Sequence, residues 1–319
     1  MTKVFDIIVV GSGAAGLSAA IYAGRYLMKV LVVNGKFGGE TATAGTIWNY
    51  PAMPGADGFD LMIKMKEQAK EVGTEFVDGK VTEVKNESGC YTVKVGTEEF
   101  FGKSVIFANG AERKRLGLPN EDVLTNKGVH FCVTCDGPLY IGKKVAVVGG
   151  GDAAAKGVNL LAQYADKIYL LARGKTLRAE PINIEEMKSH GNKVEILYET
   201  EVKEIIGEKR LEKIVLTKSY NGSIDFPLDG LFVEIGAKPD IEMAKSLGVE
   251  LDEYGYIKVD NFMATNVPGI YAGGDAVNFF GQFKQTVTAA AMGAVAATSA
   301  YNYCKKLNPN GTHKRNDLI

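Results

Sequence analysis

The chain has 319 residues, 46% of them hydrophobic and 24% charged, the profile of a soluble globular protein with room for two domains. A net charge of −1 points away from nucleic acid and anionic membranes as partners. Four cysteines in a chain this long are no disulfide scaffold. A cytoplasmic location is therefore expected, where a Cys-x-x-Cys pair is catalytic or metal-binding rather than structural.

The N-terminal run Val4 to Val10 is far short of the roughly 20 residues of a membrane span, and no small-residue cleavage site follows it. It reads as a strand buried on both faces of a parallel sheet. Gly11-Ser12-Gly13-Ala14-Ala15-Gly16 comes next, then a helical run from Leu17 to Ala23 and a second strand from Val30 to Val33. This order is the context a dinucleotide fingerprint requires. Gly11 allows the tight turn, Gly13 lets backbone approach a pyrophosphate, and Gly16 lets helix pack on sheet. The helix N-terminus then faces the phosphates. The competing reading is a glycine-rich turn in an α/β domain. Asn34-Gly35 stands where the second strand usually ends in an acid; Asn34 retains the ability to hydrogen-bond a ribose hydroxyl.

An irregular region carries Gly38-Gly39-Glu40-Thr41 and Trp48-Asn49-Tyr50-Pro51. Residues 57–73 read as an amphipathic helix with Leu61, Met65 and Ala69 on one stripe. Val81 to Val84 and Tyr91 to Val95 form a hairpin around Asn86-Glu87-Ser88-Gly89. Ser104 to Gly110 is a further buried strand ending in glycine.

Phe131-Cys132-Val133-Thr134-Cys135-Asp136-Gly137 holds two of the four cysteines. At this spacing a loop or first helical turn closes a disulfide and opens it again, and such pairs are redox-active where a positive field lowers one thiol pKa. The same spacing serves half a zinc site. However, Cys90 and Cys304 are isolated, and His130, His190 and His313 lack ligand spacing. Cys90 and Cys304 are read as ordinary thiols. His130 adjoins the pair and is open to a packing or a thiolate-tuning role.

The pattern then restarts. Lys143 to Val148 is a strand, Gly149-Gly150-Gly151-Asp152-Ala153-Ala154 a second fingerprint, residues 155–164 a helix and Lys167 to Leu171 a strand. Lys156-Gly157 interrupts the start of that helix, where a glycine costs roughly 1 kcal/mol. Residues 194–206 and 211–220 read as a hairpin insert, and Gly230 to Gly236 as the strand that closes the module. Val267 to Asp275 is a strand with a glycine-rich end carrying one acid. Thr286 to Leu307 is an alanine-rich helix, and residues 308–319 a loose polar tail.

Taken together these segments resemble the low-molecular-weight, bacterial-type thioredoxin reductases over nearly the whole chain. The most specific pieces are Cys132 to Gly137 just upstream of the second fingerprint, the Gly38-Gly39 turn, and Tyr271-Ala272-Gly273-Gly274-Asp275. The resemblance implies an α/β fold of two Rossmann-like three-layer ββα nucleotide-binding domains, the second inserted into the first. Residues 1–113 and 243–319 would form the FAD-binding domain. Residues 114–242 would form a pyridine-nucleotide-type domain carrying the redox pair, rotating on hinges near Ala111 to Arg115 and Pro239 to Ala244. FAD would be held by Gly11, Gly13, Ala14, Ala15 and Gly16, by Asn34, Gly38, Gly39, Glu40 and Asn49, and by Val81, Ala108 and Gly110. Gly274 and Asp275, with Lys284, Gln285 and Thr286 at the last helix's start, complete that set. Cys135 would be the flavin-facing sulfur, Cys132 the one that attacks the disulfide of thioredoxin or a similar small dithiol protein, and Asp136 the general acid/base. The family's members are homodimers.

The electron donor is where the sequence departs from the pattern. NADPH-using members carry His-Arg-Arg-x-x-x-Arg after the second strand of the second module. Here that place reads Ala172-Arg173-Gly174-Lys175-Thr176-Leu177-Arg178. Two of three arginines remain, and Lys175 adds a point charge rather than a planar fork. No acid stands at the strand end to hold a free 2′-hydroxyl, which argues against NADH. The expected donor is NADPH, on Gly149, Gly151, Asp152, Ala153, Ala154, Arg173, Lys175, Arg178 and Gly236, with weak dual use or ferredoxin as alternatives. A flavin redox sensor without turnover is the non-enzymatic alternative. Glu40 replaces the family's usual glutamine and Asn109 its usual threonine.

Overall fold

The computed structural model describes residues 4–87, 89–281 and 283–307. The expected tail at 308–319 and the hairpin-turn residue Ser88 lie outside them. The chain divides into two compact units, residues 1–111 with 239–319 and residues 112–238.

The first unit opens with strand β1 (Val4–Val10), helix α1 (Ala14–Arg25) and β2 (Val30–Asn34). β1 pairs in parallel with β2, and Ile7, Ile8 and Val9 are fully buried, which is why this strand carries no polar alternation at its centre. The region expected to be irregular contains the short helix α2 (Gly39–Ala42) and a two-stranded pair, β3 (Thr46–Ile47) with β4 (Ala56–Asp57). Helix α3 (Gly58–Glu71) follows; Asp57 caps it, its carboxylate accepting from Phe59 N at 2.9 Å and Asp60 N at 3.1 Å. Such a cap stabilises a helix by about 1 kcal/mol. Leu61, Met65 and Ala69 form its buried stripe. β5 (Glu75–Asp78) extends the parallel sheet beyond β2. A meander of β6 (Val81–Glu87), β7 (Cys90–Val95) and β8 (Glu98–Phe107) then leads back to the centre. β8 lies between two partners. Glu98 to Gly102 pair antiparallel with β7 on one edge, and Phe101 to Phe107 pair in parallel with β1 on the other.

The chain crosses into the second unit through β9 (Ala111–Arg113) and the short helix α4 (Glu121–Leu124). β10 (Val129–His130) precedes helix α5 (Val133–Asp136) and a 3-10 turn at Gly137–Tyr140. The second module follows as β11 (Lys144–Val148), α6 (Asp152–Leu161), β12 (Lys167–Ala172), α7 (Pro181–Ser189) and β13 (Val194–Tyr198). β14 (Val202–Ile206), β15 (Lys213–Tyr220) and β16 (Ser223–Pro227) form an antiparallel sheet, and β17 (Gly230–Val233) returns to the parallel one. The five-stranded parallel order is β10-β17-β11-β12-β13. Side chains alternate between two cores. Ala146, Val148 and Leu231 face Ile205, Ile214 and Phe226 of the antiparallel sheet. Val145, Val147 and Phe232 face Val158 and Leu161 of α6 and Met187 of α7. This period-2 division makes the unit a three-layer ββα sandwich. β18 (Ala237–Pro239), which pairs with β9, leads back to the first unit.

There the short helix α8 (Glu242–Ser246) precedes β19 (Ile270–Ala272), which adds to β8 in parallel, and the long helix α9 (Thr286–Leu307). α9 has the bounds its alanine-rich sequence predicts, and Lys305 and Lys306 complement the dipole at its last turn.

Three sequence readings are corrected. Residues 194–198 do not belong to a hairpin; they are the outer parallel strand, paired Ile168↔Val194 to Ala172↔Tyr198. The antiparallel insert is three-stranded and begins at Val202. Gly157 does not interrupt α6, which begins at Asp152 inside the fingerprint and runs through it. A side chain there would begin 3.0 Å from Val133 Cγ2, so the glycine is what lets α5 lie close on α6.

α1 crosses α9 with the same economy of space. A Cβ on Gly293 would sit 1.9 Å from the Ala15 carbonyl oxygen. Gly293→Ala therefore forces two backbones apart and is expected to destabilise the chain by about 1–3 kcal/mol, read as a lowered melting temperature by circular dichroism.

Candidate functional site

In the first unit the glycine turn is a close contact of backbone on backbone. Gly11 has φ +105°, and a Cβ there would lie 2.4 Å from the Ala108 carbonyl oxygen. A Cβ on Gly16 would lie 1.9 Å from the carbonyl oxygen of Gly11 itself. Gly13, in contrast, is open, its nearest neighbours being the Gly38 carbonyl and Gly39 Cα at 3.9 Å. The Gly38 amide donates to the Ser12 carbonyl at 3.1 Å, which brings the Gly38-Gly39 turn over the start of α1 with Ala14 and Ala15.

The same unit gathers the other residues expected at the flavin. Thr41 and Thr286 hydroxyls lie 3.1 Å apart, and Asn49 Nδ2 donates to Gln285 Oε1 at 2.9 Å. The residues of the Gly38–Asn49 stretch thus meet the N-terminus of α9. Glu40 forms an exposed ion pair with Lys36 at 3.0 Å. Asp275 accepts no hydrogen bond from the described residues; burial pushes its carboxyl above the ordinary range, Lys284 opposes this and Glu40 adds to it. Lys284 is itself held down chiefly by burial; its ammonium donates to the Val277 carbonyl and lies 4.3 Å from the Tyr256 ring centre. Val81 is buried at the start of the meander, and Gly110 accepts from the Asp240 amide at 3.1 Å. Asn109 donates to the Asp240 carbonyl at 2.7 Å, while its own Oδ1 is buried without a partner. Asn34 is engaged on both sides. Ser12 Oγ donates to its Oδ1, and its Nδ2 donates to Asp78 Oδ1 at 2.6 Å. The acid absent from the end of β2 thus stands on the next strand, a neighbour that the linear sequence does not reveal.

In the second unit Gly149 repeats the role of Gly11. Its φ is +152°, and a Cβ would lie 2.3 Å from the Glu234 carbonyl oxygen. Ala154 occupies the close-packed third position, and Gly151 is open, with no atom within 4 Å of a Cβ. The Asp152 carboxylate, at the start of α6 beside Ala153, accepts from the Glu180 amide at 2.6 Å and Asn183 Nδ2 at 3.0 Å. Arg178 donates its amide to the Gly150 carbonyl at 2.6 Å. Arg173, Lys175 and Arg178 are all exposed, with Lys175 3.9 Å from Glu199. Gly236 accepts from the Lys114 amide at 2.9 Å. A part-buried ion pair, Arg113 to Glu234 at 2.5 Å, lies beside this turn; the sequence gives no hint of it, because the partners lie far apart in the chain.

Cys132 and Cys135 form a disulfide with their Cα atoms 5.3 Å apart. Cys132 is the N-cap of α5, and its Sγ accepts from the Cys135 amide at 3.2 Å. That donor would stabilise a thiolate on Cys132 once the bond opens. Cys135 is exposed and Cys132 half-buried. Asp136, 24% exposed, lies 3.0 Å from Nδ1 of the buried His130. Of the other cysteines, Cys304 is buried and donates to the Asp6 carbonyl at 3.3 Å. Burial above all, with Asp6 adding to it, pushes its thiol up to about 12, which leaves it unreactive at neutral pH.

A glycine turn of dinucleotide type in each unit and an openable disulfide in one define a class, the nucleotide-dependent disulfide oxidoreductases. The model of the pyridine nucleotide-disulphide oxidoreductase family matches residues 5–293. The chain is 35% identical over 308 residues to the thioredoxin reductase of Listeria innocua, covering 96% of this chain and 95% of that one. It is 36% identical to that of Bacillus subtilis, covering 96% of each. The solved thioredoxin reductase of Lactococcus lactis superposes with a TM-score of 0.89 at 32% identity, covering 95% of this chain and 99% of that one. The chain belongs to the pyridine nucleotide-disulphide oxidoreductase family, in its bacterial-type thioredoxin reductase branch. Among the described residues no helix is long and apolar enough to cross a membrane.

Asp275 offers a test of the first unit's electrostatics that needs no turnover. Its carboxyl is raised in the folded chain, so the folded state holds that proton to higher pH than the unfolded state. The stability this contributes is present below the ordinary carboxylate range and is lost as pH rises through the raised value. Asp275→Asn removes the loss. The flavin-free variant is expected to melt higher than the wild type at neutral pH, with the difference closing as pH falls toward the carboxylate range.

Proposed function

We propose that this chain is a thioredoxin reductase that passes electrons from NADPH through FAD and the Cys132–Cys135 pair to the disulfide of thioredoxin. The observation that carries the reading is the disulfide at the N-cap of α5, with the Cys135 amide on the Cys132 sulfur and a carboxylate one residue on. We further propose that residues 1–113 and 243–319 bind FAD, that residues 114–242 bind the pyridine nucleotide, and that the protein works as a cytoplasmic homodimer.

Three features suit FAD. Gly13 is open at the N-terminus of α1, where backbone amides point at a phosphate. Asp275 is a half-buried acid without a hydrogen-bond donor from the described residues, suited to accept from a ribityl hydroxyl. The N-terminus of α9 lies beside Asn49 and Thr41, and its positive end would stabilise the negative charge of a reduced flavin held nearby. Bound there, FAD would supply the two-electron relay between nucleotide and disulfide. For NADPH, Gly151 is open at the start of α6, and Arg173, Lys175 and Arg178 are exposed cations for a 2′-phosphate.

The chain's own residues carry the exchange chemistry. Cys132, as thiolate, attacks a sulfur of the acceptor disulfide, and Cys135 then attacks Cys132 to restore the internal bond. Asp136 delivers the proton that the departing sulfur needs. Cys132→Ser removes the attacking sulfur. Thioredoxin-linked turnover is expected to fall to background while the flavin remains reducible by the nucleotide; retention of turnover would discard the mechanism.

The donor is read by anaerobic titration of flavin absorbance with NADPH and then NADH. NADPH is expected to bleach the flavin at the lower concentration. Loss of one charge-assisted phosphate contact is worth about 1.5–3 kcal/mol, so Arg178→Ala should raise the KM for NADPH by roughly 10- to 100-fold and leave NADH unchanged. Equal response to both nucleotides, or to neither, would overturn NADPH as donor.

A further inference from the structure

His130 stands two residues before Cys132, and the sulfur exchange between Cys132, Cys135 and the acceptor gives it no role. The last residue of β10, it pairs with Phe232 of β17 and is 3% exposed. Its ring stacks on Phe232 with centroids 5.3 Å apart and meets Tyr140 edge-on at 5.4 Å. The imidazole is thus walled by aromatic carbon, and each nitrogen has one polar neighbour. Nε2 lies 2.7 Å from the Tyr140 hydroxyl. Nδ1 lies 3.0 Å from Asp136 Oδ2, in contact but off hydrogen-bond alignment while the disulfide is closed.

The titratable groups facing this imidazole are Asp136 from α5 and Tyr140 from the 3-10 turn. β17 presents Phe232, which does not titrate, and Asp229, just before that strand, acts on Tyr140. Burial first, then Asp136 and Asp229, push the Tyr140 hydroxyl up to about 12. Its proton therefore stays on oxygen through the neutral range, so the phenol holds Nε2 as donor or acceptor while Nδ1 faces the carboxylate.

The exchange chemistry needs such a partner. When Cys132 is a thiolate, the proton it gave up must be stored near the sulfur until the acceptor's leaving sulfur takes it. A carboxyl alone is a weak proton store at neutral pH, whereas an imidazole is matched to it. We infer that His130, held by Tyr140, is a positioning residue for Asp136, and that the His130–Asp136 pair stores the Cys132 proton and returns it to the departing acceptor sulfur. The step balances. Cys132 Sγ bonds to one acceptor sulfur as the acceptor S–S bond breaks, and the released sulfur takes the stored proton. Cys135 then displaces the second acceptor sulfur, which takes the Cys135 proton. Two electrons pass to the acceptor, and the Cys132–Cys135 bond reforms. This inference deepens the disulfide reductase reading above and rests on it.

The test uses the flavin-loaded enzyme reduced with dithionite, and follows the rate of Cys132 alkylation by iodoacetamide between about pH 5 and 9, the range in which an imidazole titrates. The wild type is expected to show a bend from the pair within that range, in addition to the thiol's own ionisation. His130→Gln retains an amide able to reach Tyr140 but cannot store a proton. It should lose the bend, and its thioredoxin-linked turnover at neutral pH should fall on the order of tenfold or more, within the range of general acid catalysis, with flavin absorbance unchanged. Tyr140→Phe should keep the bend but move it. A His130→Gln enzyme with the wild-type profile and rate would overturn the inference, as would a loss of rate equal at every pH. A wild-type enzyme that shows the bend, lost in His130→Gln, yet fails to reduce thioredoxin would retire thioredoxin as the acceptor and still support the pair.

Discussion

Both units depend on one contact, a glycine turn pressed against a backbone carbonyl at the end of the neighbouring strand. Gly11 meets the Ala108 carbonyl in the first unit and Gly149 meets that of Glu234 in the second, each so closely that a Cβ would lie within 2.4 Å of the oxygen. Both turns also need positive φ, which an L side chain adopts only with strain. The contact fixes where α1 and α6 begin, and so where two helix N-termini open at the edge of a parallel sheet. The middle residues of the turns, Gly13 and Gly151, remain open because the first residues are packed.

Features with local causes were legible in the sequence. The two turns, the buried first strands and α9 are written in spacing and composition, since a turn needs its glycines in place and a helix needs its run of good formers. What escaped has non-local causes. Val194–Tyr198 carries ordinary β-propensity, and nothing within it says that it pairs with Lys167–Ala172 rather than with the strand that follows. Gly157 looks like a defect in a helix until Val133 is placed 3.0 Å from its missing side chain. α7 is the exception, a helix with a local start signal in Pro181 at its first position. At the candidate site, the Cys132–Cys135 pair could be chosen from spacing and Asp136 from the family resemblance, but the Asn34–Asp78 and Arg113–Glu234 pairs required the fold.

The redox segment shows how packing serves chemistry. Gly157 lets α5 approach α6, which seats Val133 in the core between Cys132 and Thr134. With Val133 anchored, the exposed Cys135 and the half-buried Cys132 are held at the surface on a short, stiff turn. The Arg113–Glu234 pair lies near the same helix, the Glu234 side chain reaching within 3.9 Å of the space left by Gly157. A part-buried pair of this kind adds little net stability, because desolvation offsets much of the attraction. Its effect is to hold Glu234, and with it the carbonyl that Gly149 packs against, in one position.

Asp152 at first sight is misplaced. A carboxylate at the start of α6 suits the helix dipole but would repel a pyrophosphate arriving at the open Gly151. Its oxygen instead accepts from the Glu180 amide and from Asn183, so the charge is turned toward the 178–183 segment and away from the turn. Arg178 is tied to the same place by its amide on the Gly150 carbonyl. One carboxylate thus anchors the segment that carries a proposed phosphate-binding cation, and the cation's backbone in turn braces the fingerprint. The paired arginines of the family motif are reduced here, but the loop that would present Arg178 is fixed to the turn by one backbone hydrogen bond, to the Gly150 carbonyl, and by the Asp152 carboxylate. Recognition of a 2′-phosphate would then rest on a preorganised loop with fewer cations, a geometry that lowers affinity without disordering the site.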